Sequence, residues 1–184
     1  MLRNTKDNWG AVSKSLHWLM AGLFFVQFVL GPLAVSWRLS PTKLDLFVWH
    51  KSIGMLILTL VILRAIWRLL NQTPSLPANL PRWEQISARL SHLLLYLVLF
   101  MLPISGWIIN SAANIPFKVF WIFPLPELLS PDKQLEELAK LAHFTLVITL
   151  IILLIIHIGA ALRHHFIRRN NVLIRMVWSR RSVI

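Results

Sequence analysis

Seven histidines stand in this chain, and each falls in or at the end of a long apolar run: His17, His50, His92, His143, His157, His164 and His165. Histidine inside a hydrophobic span is costly and is usually retained for chemistry. The charged flanks give the depths. His17 follows Lys14 by three residues and His157 precedes Arg163 by six, so both lie toward one membrane face. His50 adjoins Lys51 and His143 follows Lys140 by three, so both lie toward the other. Two pairs result, His17 with His157 and His50 with His143. His143 and His157 are fourteen residues apart, nearly four helical turns. They therefore share one helix face, about 21 Å apart along the axis at 1.5 Å per residue.

Two histidines opposed across a helical bundle suit the two axial positions of a low-spin haem iron, a centre suited to electron transfer. Zinc would need more ligands, and no carboxylate or third ligand stands nearby at either level. The chain has no cysteine. Disulfides, iron–sulfur clusters, thiolate-bound haem and thioether-linked c-type haem are therefore excluded. What remains is two haem b groups, with His17 and His157 as ligands of the inner iron and His50 and His143 as ligands of the outer one. His92 faces inward without an unclaimed partner, and a hydrogen bond near the inner haem or a quinone is expected of it. Gly54 and Gly106 either make room for a macrocycle or serve ordinary small-residue helix packing.

Four elements must position these side chains. The chain is 57% hydrophobic and 14% charged over 184 residues, whereas a soluble domain carries about a quarter charged residues. Apolar runs over approximately 15–37, 46–68, 90–111 and 140–163 each approach the ~20 residues needed to cross the hydrocarbon. The first run is too long for a signal-peptide core and lacks a cleavage site, so it reads as a retained span. The expected architecture is all-α, an integral membrane four-helix bundle binding two b-type haems, in a single domain over 1–184. Proline inside a span, as at Pro32 and Pro103, is tolerated in membrane helices.

Thirteen Lys and Arg residues fall on the side of both termini and six on the other. That bias predicts cytoplasmic N- and C-termini. It also accounts for the net charge of +12 without nucleic acid, because the basic residues sit between and after the apolar runs. The proline-rich 73–81 stretch reads as an extended inner connector. The aromatic, proline-containing stretch 115–126 reads as a partly buried lid along the outer interface. Lys14, Arg64, Arg68 and Arg163 are placed either to meet inner haem propionates or simply to satisfy the positive-inside bias.

Several segments carry a resemblance across nearly the whole chain: Ser15-Leu16-His17-Trp18, Trp49-His50-Lys51-Ser52-Ile53-Gly54, His92 to Tyr96, Leu102-Pro103-Ile104-Ser105-Gly106, His143, and His157 to His165. In these the chain resembles the bacterial cytochrome b561 family, most closely its superoxide oxidase branch. The resemblance implies a multi-pass protein of the bacterial inner membrane, surrounded by lipid. Its activity would be superoxide:ubiquinone oxidoreductase, with two haems b linking superoxide at the outer face to ubiquinone. No obligate protein partner is implied. The alternative within the resemblance is a cytochrome b subunit linking the quinone pool to a partner redox enzyme. Carried over by position, Ser15 and His164 are expected at a quinone pocket beside the inner haem, and His165 as a basic interfacial anchor. Superoxide is a small anion, so a locally positive outer site is expected. Lys51 and Lys140, beside or one turn from the outer ligands, are candidates for steering it, against a plain reading as snorkelling lysines.

Overall fold

The computed structural model describes residues 1–76 and 80–177. Part of the 73–81 connector, and Arg180 and Arg181 of the charge comparison, lie outside the described residues. Four long helices dominate: α1 (Ala11–Ser36), α2 (Pro41–Leu70), α3 (Arg82–Ala112) and α4 (Lys133–Phe166). Each is long and apolar enough to cross a membrane, and together they form an all-α, integral membrane bundle.

The helices run past most ends of the apolar stretches, because polar residues cap them outside the hydrocarbon. Asp132 accepts hydrogen bonds from the backbone N–H groups of Gln134 and Leu135 at 2.8 and 3.0 Å, so α4 begins nearly three turns before His143. Ser40 caps α2 by accepting from Lys43 N at 3.3 Å, with Pro41 in the first turn where its missing N–H costs nothing. The apolarity of the third run continues beyond the helix, but α3 stops at Ala112. Asn110 there turns its side chain to the Ile115 carbonyl at 2.8 Å.

Packing runs in sequence order: α1 on α2, α2 on α3, and α3 on α4. The shared core comprises Met20 and Phe24 of α1, Ile53, Ile57, Leu60 and Val61 of α2, Leu95, Val98 and Leu99 of α3, and Leu150 and Leu153 of α4. Neither α1 nor α2 packs at length on α4. The bundle is thus a curved row of helices whose α1 and α2 face α4 across a gap wider than direct helix packing gives.

One end, the terminal end, carries the start of α1 and the end of α4, and its opposite is closed by the segment between α3 and α4. A short antiparallel hairpin, β1 (Lys118–Val119) with β2 (Phe123–Pro124), pairs Lys118 with Pro124 and Val119 with Phe123. Its turn places Phe120 (φ 48°) and Trp121 (φ 61°) in the left-handed region, where bulky side chains are outliers. Contacts with α2 hold them there. The Phe120 N–H donates to Ser52 Oγ at 2.7 Å, and Trp49 meets Phe120 and Trp121 edge-on at 5.8 and 5.5 Å. The stretch expected to lie along the interface is therefore a hairpin clasped onto the third and fourth turns of α2. Trp107 Nε1, donating to the Pro126 carbonyl at 2.8 Å, ties its far side to α3.

At the terminal end, the chain after α4 folds back toward α1. Lys14 Nζ donates to the Val177 carbonyl at 3.1 Å and Trp18 Nε1 to the Met176 carbonyl at 2.9 Å. Glu84, 6% exposed, accepts from Arg163 at 3.1 Å and Arg168 at 2.7 Å, locking the start of α3 to the end of α4.

Candidate functional site

The fold brings four histidines together as two pairs across the gap. Toward the terminal end, the rings of His17 on α1 and His157 on α4 stand 6.3 Å apart between centroids, inclined by 62°. Toward the hairpin end, His50 on α2 and His143 on α4 stand 6.4 Å apart, inclined by 71°. The helices that carry opposed histidines are the ones that do not pack on each other.

This spacing can be tested against a bound iron. A metal bonded to two opposed imidazoles at about 2 Å each places the ring centroids about 6 Å apart. Both pairs match. Nδ1 of His17 and Nδ1 of His50 are buried without a hydrogen-bond partner among the described residues. One opposed pair of imidazoles per level, with no thiolate or carboxylate among the donors, fits a b-type haem at each.

The hairpin-end pair has a supporting shell. Ser105 Oγ lies 2.9 Å from His143 Nδ1 and 2.7 Å from the Leu102 carbonyl. Gln27 Nε2 donates to the His50 carbonyl at 2.8 Å, fixing the backbone of that ligand candidate from α1. Two glycines give the rings their room. A Cβ on Gly31 would lie 3.3 Å from His50 Cε1, and one on Gly106 would lie 3.6 Å from His143 Cε1. Gly106 therefore backs His143 on the neighbouring α4. The space beside Gly54 is taken by the Gln27 amide, 3.5 Å from where its Cβ would be. Gly31, Gln27 and Ser105 escaped the sequence reading as site residues. Ser105 and Gly106 lay in a segment already singled out, but nothing along α1 distinguishes Gly31 until α2 is laid against it.

The terminal level, where the sequence suggests no third ligand, holds a third histidine, because packing of α3 on α4 brings His92 against His157. His92 on α3 meets His157 edge-to-face at 5.6 Å. Among the described residues it makes no hydrogen bond to another side chain, so the expected one is not supplied by the chain. Ser15 is exposed on the first turns of α1, between the two residues that hold the folded-back tail. His164 Nδ1 lies 2.9 Å from Asn170 Nδ2 of that same tail. The tail thus touches both sides of the candidate quinone position, although no hydrogen bond joins Ser15 to His164. His165 packs on Phe166 at 4.8 Å and lines, with Arg169, Asn170, Asn171 and Ile174, a cavity of about 300 Å³.

The two lysines considered for steering have separate partners. Lys51 Nζ donates to Asn110 Oδ1 at 2.6 Å and sits 5.4 Å from the centre of the Phe117 ring, keeping its charge beneath the lid. Lys140 is exposed and ion-paired with Glu136 one turn earlier, which offsets its charge locally.

A family model described as prokaryotic cytochrome b561 matches residues 8–179. The chain is 34% identical to cytochrome b561 homolog 2 of Escherichia coli K12, over 95% of this chain and 93% of that protein. It is 28% identical to cytochrome b561 homolog 1 of the same organism, over 88% and 92%. It is 29% identical to a probable superoxide oxidase of Yersinia pestis, over 72% and 75%.

Proposed function

The chain belongs to the prokaryotic cytochrome b561 family, and on that premise we propose that it is a di-haem superoxide:ubiquinone oxidoreductase of the bacterial inner membrane. The observation that carries this reading is the pair of histidine couples, 6.3 and 6.4 Å between rings, stacked at two levels in the gap facing α4. Haem b, bound at each level, supplies a one-electron carrier near each membrane face.

The chain's own residues set the rest. The hairpin end faces outward and both termini lie in the cytoplasm, following the distribution of basic residues. Superoxide approaches the hairpin end, where Lys51 is the cation held nearest a ligand candidate, being its chain neighbour. Hydrogen bonds and aromatic contacts fix the lid over this end rather than leaving it open to bulk water. Ubiquinone occupies the terminal end, bounded by Ser15 on α1, His164 on α4 and the folded-back tail. The balance is two superoxide and one ubiquinone, with two protons, giving two dioxygen and one ubiquinol. The protons enter from the cytoplasmic side. The similarity to a probable superoxide oxidase supports the choice of donor.

The decisive experiment is stopped-flow mixing of the purified oxidised protein with superoxide, following haem absorbance with and without ubiquinone. Fast reduction that ubiquinone reverses is the expected result. Haem bands that ignore superoxide but respond to quinol would replace this reading with a cytochrome b subunit serving a partner enzyme. A colourless protein would remove both.

A further inference from the structure

Two arginines lie inside the bundle with no acid to meet them. Arg64 and Arg68 are one turn apart on α2 and continue the inward face of Ile57 and Val61. Both are partly buried, and their guanidinium carbons lie 5.7 and 5.6 Å from the centre of the Tyr96 ring on α3. Neither forms an ion pair among the described residues. Of the seven acids, five lie toward the hairpin end. Glu84 is taken by Arg163 and Arg168, and Asp7 is exposed in the N-terminal segment. The Tyr96 face offers each cation some attraction but no neutralising charge. Desolvated cations without a counter-ion are strongly unfavourable, so this arrangement calls for an anion.

The position and chemistry of that anion follow. Tyr96 stands one turn after His92 on α3, and the His92 ring meets His157 at 5.6 Å, which places both arginines beside the terminal-end pair. Two planar guanidinium forks set over one ring, from side chains one turn apart on α2, match paired carboxylates better than a single spherical ion. We propose that Arg64 and Arg68 form a carboxylate clamp for the propionate groups of the haem at the His17–His157 level. The clamp offsets their negative charge next to the iron and keeps that haem easier to reduce. Tyr96 acts as a positioning residue, holding both forks at one height. The inference rests on the reading of His17 and His157 as ligands.

The same demand for an anionic oxygen group has a second possible source in a lipid phosphate, and the test separates the two. Holoprotein carrying R64Q and R68Q is compared with wild type by redox titration of the haem bands and by haem content. The expected result is that one of the two midpoint potentials falls, its reduction constant dropping about tenfold (about 59 mV for a one-electron couple), while the other stays in place. The lowered potential also gains a dependence on pH, as carboxylates without cations become able to take up protons. If the double variant loses one haem, R64K with R68K is read instead; retention of the haem there shows that the cations anchor it. Two haems with unchanged potentials in the glutamine variant overturn the clamp. It is equally overturned if moving the wild-type protein from phospholipid nanodiscs into a phosphate-free sugar detergent raises the same potential, because the anion removed is then a lipid phosphate. Failure of the underlying reading looks different: His17→Ala would then retain both haems.

Discussion

Ser105 on α3 and His143 on α4 are joined through a hydroxyl that also reaches the Leu102 carbonyl, at 2.9 and 2.7 Å respectively. A hydroxyl has one proton. Donated to Leu102, it leaves Ser105 an acceptor toward His143, so the proton of that bond belongs to Nδ1 of the ring. Nε2 is then a bare lone pair, the form an iron ligand requires. Partners of this kind fix the tautomer and orientation of a metal-binding histidine.

Ser105→Ala should therefore weaken the hairpin-end haem site without touching the other. Loss of such a supporting partner lowers metal-site affinity about 10–100-fold. Haem titration of the apoprotein, followed by difference spectra, should show one site weakened and one unchanged. Equal affinities in variant and wild type would show that His143 needs no tautomer control.

Replacement of the paired histidines should separate the two levels. His50→Ala or His143→Ala is expected to lose one haem and keep the other, halving haem per chain. His17→Ala or His157→Ala should do the same with the opposite spectral component. His92→Ala should keep both, because its ring lies against His157 at 5.6 Å and has no opposed partner of its own. Loss of a haem from His92→Ala would reassign the terminal-end ligand.

The glycines give a steric test. Gly31→Val puts a branched side chain where even a Cβ would stand 3.3 Å from His50 Cε1, so His50 must tilt. The expected outcome is loss or altered absorption of one haem. Gly22→Ala and Gly159→Ala meet nothing within 4 Å. They should leave the spectrum intact and be neutral or stabilising by up to about 1 kcal/mol through higher helix propensity.

Glu84 predicts a stability effect distinct from the haem sites. Glu84→Gln removes the charge shared by Arg163 and Arg168 at the junction of α3 and α4. Its thermal midpoint should fall by several degrees in detergent while haem content below the transition stays unchanged. An unaltered midpoint would make this junction a surface feature of no energetic weight.

The lysines divide by their partners. Lys51→Gln should slow reduction by superoxide about tenfold at low salt and flatten its dependence on ionic strength. Lys140→Gln should have the smaller effect, since Glu136 already offsets that charge. Stopped-flow rates at two salt concentrations decide. The reverse order would move steering to the exposed lysine.

By itself the sequence determined the four helices, since a span needs only ~20 apolar residues with charged ends, and both signals are local. It also sorted His17 with His157 and His50 with His143 into two levels, because the flanking charges and the helical rise are local too. Facing relations were decided only in three dimensions. That Gly31 backs His50, that Gln27 occupies the space beside Gly54, and that Ser105 orients His143 each depend on the rotation of one helix against another. Neighbouring helices set that rotation, and hydropathy along a single helix does not report it. The same holds at the hairpin end, where Phe120 and Trp121 take φ values of 48° and 61° that no local preference favours. They are held there by Ser52 and Trp49, residues of a helix about seventy positions earlier in the chain, and only packing brings that helix beneath them.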